Sequence, residues 1–179
     1  MKPHVPFELN DPVSPIDHAA GPTHAPVTVV EYGDFECPNC KQAQPAVKLL
    51  LERFAGRVQV AFRHFPLEDV HPHALRAAEA AESAGGQGKF WEMHDLLYKG
   101  FPDLSRRTVM SYAKQIGLDM NRFTTDLDSH KFRARVRSEE QEGEVAGVGG
   151  TPTFFINGKK YNGVFEVASV VPLIKKEMK

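Results

Sequence analysis

The 179-residue sequence has very little cysteine, with Cys37 and Cys40 the only two. A secreted scaffold held together by several disulfides is therefore excluded. A disulfide between two cysteines so close in sequence would close a very short loop, and it would add little stability through chain entropy. The pair therefore favours a redox role over a structural one.

The sequence also lacks an excess of charge of one sign and long apolar runs. Its 22 basic and 23 acidic residues give a net charge of −1, which provides no overall basic field for binding nucleic acid. No apolar run approaches the roughly 20 residues that cross a bilayer, so we expect no membrane span. The start, Met1 to Pro6, lacks the apolar core of a secretory signal. We expect a cytoplasmic protein as the sequence stands, or a periplasmic or exported one if a signal has been trimmed.

The first half of the chain predicts a strand, a helix and a second strand. Val27–Tyr32 is a β-branched run of strand length, and Val58–Phe62 alternates weakly. Between them, from near Pro38 to Phe54, apolar residues recur at the spacing of one helix face. Residues 1–26 are rich in proline and polar residues and are interpreted as an arm or linker.

The second half predicts a helical block and then a hairpin and a last helix. Helical periodicity runs from His71 to about Ala146, and Ser105 is typical of a helix N-cap. The strand Thr153–Ile156 precedes Asn157-Gly158, a strong signal for a type I′ turn. The last helix begins at Val167, or at Ser169 if Pro172 prevents an earlier start.

This order predicts an α/β fold with a mixed sheet and one all-helical insertion. The elements run β-α-β, then helices, then β-β-α. We assign residues 27–64 and 147–179 to the α/β domain and residues 65–146 to the inserted subdomain.

The motif that carries chemistry is Cys37-Pro38-Asn39-Cys40, which lies between a predicted strand and a predicted helix. Free N–H groups and the positive dipole end at a helix N-terminus favour an anion, so Cys37 is expected to be a low-pKa nucleophile. Cys40, one turn further on the inner face, is expected to be the resolving thiol. The alternative for such a motif is half of a zinc or iron–sulfur site, which His64, His71 and His73 would have to complete.

Two further elements are expected to complete the site. Thr151-Pro152 is expected to be a cis peptide packed against the cysteines, with the Thr151 backbone pairing with an extended substrate, although a plain turn is the alternative. Glu31, on the first strand, is expected to be buried with a raised pKa and to accept the Cys40 proton, although a solvated or ion-paired residue is equally compatible. Asp34 and Glu36 are expected to be exposed, and the acidic run from Glu139 to Glu144 to form a solvated face.

These residues resemble the DsbA-like branch of the thioredoxin superfamily. The resemblance rests on Gly33–Cys40 with Pro45 five residues later, on Gly150–Gly158, on Arg63–Leu67 and on Phe90–His94, and it runs from about His18 to the C-terminus. It implies a thioredoxin-like fold with a helical insertion, an attacking Cys37, a cis bond before Pro152 and a buried acid at Glu31. Pro38, Asn39, Thr151 and Pro152 are then expected to contact substrate.

The expected function is therefore a thiol–disulfide oxidoreductase that acts on protein thiols or disulfides, needs no cofactor and is recycled by a redox partner. Strongly oxidising relatives carry a histidine within the CxxC motif, so Asn39 implies a weaker oxidant. Similar domains also occur fused to a cation antiporter, so the resemblance leaves the direction of exchange open. A metal or iron–sulfur module and a glutathione-linked enzyme of the same fold are the alternatives.

Overall fold

The computed structural model describes residues 8–9 and 11–179. In this part of the chain the strands are β1 His18–Ala20, β2 Val27–Gly33, β3 Val58–His64, β4 Thr153–Ile156 and β5 Lys159–Lys160. The helices are α1 Pro38–Arg53, α2 Ala74–Gly85, α3 Phe90–Gly100, α4 Arg106–Gln115, α5 Met120–Asp128, α6 Arg133–Val145 and α7 Val167–Glu177. The expected α/β fold with a mixed sheet and intervening helices is confirmed.

The five strands form one mixed sheet in the order β1-β3-β2-β4-β5. Strands β2 and β3 are parallel, joined through α1, whereas the other neighbouring pairs are antiparallel. Strand β2 lies in the middle, and its residue Glu31 stands opposite Phe62 of β3 and Phe154 of β4. The sheet therefore places Glu31 at its centre, just before the loop that carries the cysteines.

The N-terminal arm was interpreted as lying outside the domain, and that is wrong for residues 18–20. His18, Ala19 and Ala20 pair with Phe62, Ala61 and Val60 at the edge of the sheet. A three-residue strand is too short to show a period-two pattern, and only its pairing with β3 defines it.

The local signals for turns and caps in the second half are confirmed. The Ser105 side chain accepts a hydrogen bond from the Thr108 N–H at the start of α4. Asn157 and Gly158 both have positive φ, as a type I′ hairpin turn requires. Helix α7 begins at Val167 with Pro172 inside it, so the alternative start at Ser169 is wrong.

Of the apolar clusters formed by the described residues, the two largest lie against the sheet and around the cysteines. Under the sheet, Val27 and Val29 of β2 pack with Val47 and Leu50 of α1 and with Ile174 of α7. The other core joins the cysteine loop to the helical block. It contains Cys37 and Cys40 with Phe35, Phe62, Phe90, Met93, Leu97, Tyr98, Leu104 and Phe123, among others. The cysteines thus belong to the core of the inserted helices.

A buried polar cluster links β3 to α2 and α6 on the far side of that core. The Glu82 carboxylate lies 2.9 Å from His64 Nε2 and 2.8 Å from His18 Nε2, and Arg135 Nε lies 3.0 Å from its other oxygen. Arg135 also approaches Glu139, which accepts a hydrogen bond from the His64 backbone N–H. Glu139 is therefore buried, and its expected place on a solvated face is wrong, because α6 turns it toward β3.

Candidate active site

Cys37 occupies the N-cap position of α1, directly after the loop that leaves β2. Pro38 forms the first helical residue, where its missing N–H costs no hydrogen bond. The first turn contains no acidic residue, so nothing in it opposes a negative charge on the sulfur. Cys37 and Cys40 are both reduced and buried, and the Cys37 Sγ lies 3.4 Å from the Thr151 carbonyl oxygen.

The surroundings of Cys37 favour its thiolate. A hydrogen bond from the Cys40 thiol lowers the pKa of Cys37 most, and Thr151 and the backbone N–H groups of Asn39 and Cys40 lower it further. Burial acts in the opposite direction, but the pKa of Cys37 still falls from 9.0 to about 5. At pH 7 the sulfur is therefore almost entirely ionised, which is the form that attacks a disulfide.

The surroundings of Cys40 favour its thiol. Burial raises the pKa of Cys40 well above its ordinary value, and its hydrogen bond to Cys37 and the charges of Glu31 and Cys37 raise it further. Cys40 has no exposed surface, whereas Cys37 keeps 4 % of its own. The pKa values of the two thiols therefore shift in opposite directions, because the Cys40 thiol donates a hydrogen bond that stabilises the Cys37 thiolate, whereas Cys40 itself is more deeply buried.

Glu31 lies in the core with 1 % of its surface exposed. Burial raises the pKa of its carboxyl to about 8, the Cys37 charge also raises it, and a hydrogen bond from Gln44 opposes both. The Gln44 Nε2 lies 3.0 Å from Glu31 Oε1 and 3.3 Å from Oε2. The structure thus places the expected buried acid beside the cysteines, with a neutral amide in place of a cation.

The Thr151–Pro152 peptide bond is cis, as expected. Both residues line a groove of about 470 Å³ together with Asn39 of α1, and Phe154, Val164 and Phe165 supply apolar surface on its other side. Four residues were expected to contact substrate. Asn39, Thr151 and Pro152 line this groove, and Pro38 is the exposed neighbour of Cys37.

Asp34 is almost fully buried, at 2 % exposure, so the expectation that it is exposed is wrong. It accepts hydrogen bonds from the backbone N–H groups of Glu36 and Leu67, and its Oδ2 lies 2.7 Å from His71 Nδ1. The sequence could not show this burial because the residues that cover Asp34 lie more than thirty positions away.

Glu36 is half-buried rather than exposed, and it holds His73 through both the backbone N–H and Nδ1. His71 and His73 are thus engaged with Asp34 and Glu36. Among the described residues, the group of histidine and acidic side chains close enough to share a metal is His64, Glu82 and Glu139. That group excludes both cysteines, so the geometry does not support the alternative in which His64, His71 and His73 complete a metal site with the CxxC motif.

Two residues at the site were missed by sequence reasoning. Gln44 contacts Glu31 and also donates to the Cys40 carbonyl oxygen at 3.2 Å. Tyr98 of α3 is buried in the same core, where the charges of Cys40 and Glu31 add to the effect of burial in raising its pKa. A signal existed for Gln44, since it stands four residues after Cys40 and so on the same helix face. None existed for Tyr98.

Comparison with known proteins agrees with this geometry. The profile of the family described as Thioredoxin matches residues 14–176. A Na(+)/H(+) antiporter NhaA 1 from Salinispora arenicola is 47 % identical over 165 residues, which cover 92 % of this chain and 25 % of that protein. The chain thus spans about a quarter of the length of the curated relatives it matches.

Solved structures share the fold. BdbD from Bacillus subtilis, in its oxidised form, superposes with a TM-score of 0.80 at 24 % identity, and the match covers 90 % of this chain and 92 % of the BdbD chain. A thioredoxin-like oxidoreductase from Silicibacter pomeroyi has a TM-score of 0.80 at 25 % identity, covering 91 % and 92 %. Because the family profile matches most of its length, this chain belongs to the thioredoxin family.

Proposed function

We propose that this chain is a thiol–disulfide oxidoreductase that exchanges a Cys37–Cys40 dithiol and disulfide with protein substrates. The proposal rests on the opposite directions in which the pKa values of the two thiols shift. Cys37 is a thiolate at neutral pH, and Cys40 stays protonated until it attacks the mixed disulfide. One attacking and one resolving thiol are what a two-step exchange through a mixed disulfide requires.

In the reducing direction, the Cys37 thiolate attacks one sulfur of a substrate disulfide. A Cys37–substrate disulfide forms, and the other substrate sulfur leaves as a thiolate. Cys40 then attacks Cys37 Sγ, so the Cys37–Cys40 bond forms and the second substrate sulfur leaves. The enzyme loses two electrons and the substrate gains them. In the oxidising direction the same steps run backward from the Cys37–Cys40 disulfide.

Glu31 supplies the base for the second step. Before reaction, the Cys37 thiolate helps to keep the Glu31 pKa high. That charge disappears in the mixed disulfide, so the pKa of Glu31 falls, Glu31 releases its own proton to solvent and its carboxylate becomes available. It can then accept the proton from Cys40 as the Cys40 sulfur attacks.

The groove beside the cis-proline suits an extended polypeptide. Phe154, Val164 and Phe165 contribute apolar surface to the groove, and Asn39 and Thr151 contribute polar surface. The Thr151 carbonyl oxygen lies 3.4 Å from Cys37 Sγ. A substrate backbone that pairs with Thr151 would therefore bring a substrate cysteine close to Cys37. Thr151, Pro152, Pro38 and Asn39 are therefore proposed to contact the substrate.

The trapping of a mixed disulfide tests the proposal. Cys40→Ser keeps the nucleophile and removes the resolving thiol, so we expect stable, reductant-sensitive adducts with a disulfide-containing protein such as insulin. Cys37→Ser is the matched control and should form none. A wild-type protein that catalyses no exchange, together with a Cys40→Ser variant that traps nothing, would contradict the proposal.

Alkylation kinetics test the assigned roles. We expect the rate of Cys37 modification by iodoacetamide to be constant above about pH 6 and to fall below it with a midpoint near pH 5, whereas Cys40 should remain unmodified in the folded protein. Mass spectrometry of the two peptides measures both. Equal rates for the two cysteines with a midpoint above pH 8 would contradict the assignment.

The direction of exchange and the alternatives follow from three measurements. The potential of the Cys37–Cys40 couple against glutathione should be that of a weaker oxidant than relatives with a histidine in the CxxC motif, because Asn39 adds no positive charge, although the stabilised Cys37 thiolate favours the reduced form and so limits the difference. Turnover that depends on glutathione would favour the glutathione-linked alternative. Stoichiometric zinc or iron retained after reduction would favour a metal module.

No helix in the described ranges is both long and apolar enough to span a bilayer. Placement in the cytoplasm stays a prediction.

A further inference from the structure

Gln44 is the one side chain shown to hydrogen-bond to the buried Glu31 carboxylate within the described residues. Its amide nitrogen donates to both carboxylate oxygens and to the Cys40 carbonyl oxygen, 3.2 Å away. The last contact spans one helical turn and fixes the Gln44 rotamer. The amide group therefore ties the position of Glu31 to the backbone of Cys40, the residue whose proton Glu31 is proposed to receive.

The other atom of the amide, Gln44 Oε1, is buried without a hydrogen-bond partner. A buried polar atom of this kind costs about 1–3 kcal/mol unless it meets water or a ligand. Tyr98 Oη is a second such atom, and His94 Nε2 a third. All three belong to the interface between α1 and α3, which makes this interface the part of the site where polar groups are least satisfied by protein.

That interface is open to solvent. A cleft of about 540 Å³ is lined by Gln44 and Lys48 of α1 and by Asp95, Leu96 and Tyr98 of α3. An adjoining cavity of about 320 Å³ shares Gln44, Lys48 and Asp95 and reaches His94. Gln44 lines both, although only 7 % of its surface is exposed. It thus stands between the buried carboxylate and the solvent side of α1. Its Oε1 and Tyr98 Oη have almost no exposed surface, so water from the cleft reaches them only when one of these side chains moves.

We propose that Gln44 is a positioning residue for the resolving step, holding the Glu31 carboxylate next to Cys40 and joining it to the α1–α3 cleft through which its proton reaches solvent. This inference rests on the proposed function and deepens it. The proton passes from Cys40 Sγ to a Glu31 oxygen while the Cys37–Cys40 bond forms and the bond from Cys37 to the substrate sulfur breaks. It then leaves Glu31 for water in the cleft, so the oxidised protein holds Glu31 as a carboxylate, which takes up a proton again when the Cys37 thiolate is re-formed.

Among the groups around Glu31, Gln44 is the one that lowers the pKa of its carboxyl. From the cysteine loop and α1 it faces Cys37 and Cys40, and from α3 it faces Tyr98. The adjacent strands present Phe62 and Phe154 at the paired positions. Each ionisable neighbour is neutral or negative, so the Gln44 amide is the contact that favours the carboxylate form.

The first test removes the amide. We expect Gln44→Leu, and the closer match Gln44→Met, to raise the apparent pKa of Glu31 by about one unit, since a hydrogen bond to a charged group is lost. ¹³C NMR titration of the labelled Glu31 carboxyl carbon in the reduced protein measures this shift directly. Gln141→Leu, which changes an exposed glutamine of α6, is the control and should leave the titration unchanged.

Kinetics separate positioning from a structural role. By stopped-flow at pH 7, resolution of a Cys37 mixed disulfide should be about tenfold slower in Gln44→Leu and Gln44→Met, with its pH inflection moved upward, whereas the first attack by Cys37 should change less than twofold. Tyr98→Phe removes only the cleft oxygen and should slow resolution about threefold without moving the inflection. An unchanged Glu31 titration and resolving rate in both Gln44 variants would overturn the proposal, and an unchanged rate in Tyr98→Phe would overturn the cleft route.

The outcomes distinguish this inference from the proposed function. If the wild type catalyses exchange but the Gln44 variants match it, the positioning role fails alone. If the wild type catalyses no exchange, the proposed function fails, and the positioning role for the resolving step fails with it. In that case the NMR titration still shows whether Gln44 sets the proton affinity of Glu31. If Gln44→Leu does not fold, Gln44→Met supplies the same measurement with a side chain of matching length.

Discussion

Two buried carboxylates, Glu31 and Glu82, have opposite electrostatic surroundings. Burial acts to raise the pKa of Glu82, but hydrogen bonds and charges from His18 and His64 hold it well below the ordinary value, and Arg135 forms an ion pair with its other oxygen. Glu31 has a neutral amide and a neighbouring thiolate, and its pKa rises to about 8. Depth of burial is nearly equal, at 2 % and 1 % exposure, so the partners make the difference.

This contrast separates a structural carboxylate from a reactive one. Glu82 stays ionised at every pH at which the protein is expected to fold, and it joins β1, β3, α2 and α6 through fixed contacts. Glu31 changes its protonation near neutral pH, next to two sulfurs that also gain and lose protons. A buried acid without a cation costs stability, and such groups are found where chemistry uses the proton.

The largest expected effect is on the pH dependence of stability, measured with Glu31→Gln. The folded pKa of about 8 lies about 3.5 units above the ordinary 4.5, so the folded state keeps a proton that the unfolded state has lost. The stability that this proton contributes is complete below pH 4.5 and is lost as pH rises through 8. Relative to Glu31→Gln, the wild type should lose up to about 5 kcal/mol across that window.

Urea unfolding of the reduced proteins at several pH values measures the difference. Glu92→Gln serves as the control, because Glu92 is exposed and pairs only with Lys89 on the surface, and its stability should follow the wild type within about 0.5 kcal/mol. Parallel stability curves for the wild type and Glu31→Gln between pH 5 and 8 would show that Glu31 is ionised in the folded state, and the comparison with Glu82 would then fail.

Glu82→Gln should give the next largest effect, with the opposite dependence on pH. The folded pKa of Glu82 is depressed, so its contribution is present above pH 4.5 and is lost as pH falls toward the folded pKa. At pH 7 we expect the free energy of unfolding to fall by about 3 kcal/mol, because Arg135 and the two histidines lose a charged partner. Denaturant titration checks this value. A loss smaller than 1 kcal/mol would mean that the cluster is not a structural link.

Asp34→Asn should give the smallest of the three effects. The Asp34 carboxylate accepts two backbone hydrogen bonds and one from His71, and an amide retains only one acceptor oxygen. We expect a loss of about 2 kcal/mol in unfolding free energy at pH 7, whereas the control Asp69→Asn, at an exposed position, should change less than about 0.5 kcal/mol. Thermal unfolding of both variants measures the difference, and equal midpoints would contradict the role given to Asp34.

The sequence was sufficient for those features that short-range patterns encode. Cys37 at the start of a helix, the Asn157-Gly158 turn and the Ser105 cap each depend on neighbours within a few residues. The cis bond before Pro152 was expected only because of the family resemblance, since the residues alone favoured a plain turn.

Features that depend on distant contacts were missed or wrong. Asp34 is covered by a loop more than thirty residues away, and Glu139 faces a strand 75 positions earlier in the chain. Both are acidic residues, and an acidic residue is ordinarily exposed unless the fold gives it a partner. The edge strand at His18–Ala20 was missed for a related reason, since only β3 gives it a partner.

The cysteines share their apolar core with the inserted helices and not with the layer beneath the sheet. Substitutions at positions such as Leu97, Leu104 or Phe123 therefore change the packing of the core that holds both sulfurs, which the sheet reaches through Phe62 of β3, while the core formed by β2, α1 and α7 lies elsewhere. Evolution can in this way adjust how readily the protein gives or takes electrons by repacking one block of helices, so members with the same sheet and the same CxxC motif need not have the same redox potential.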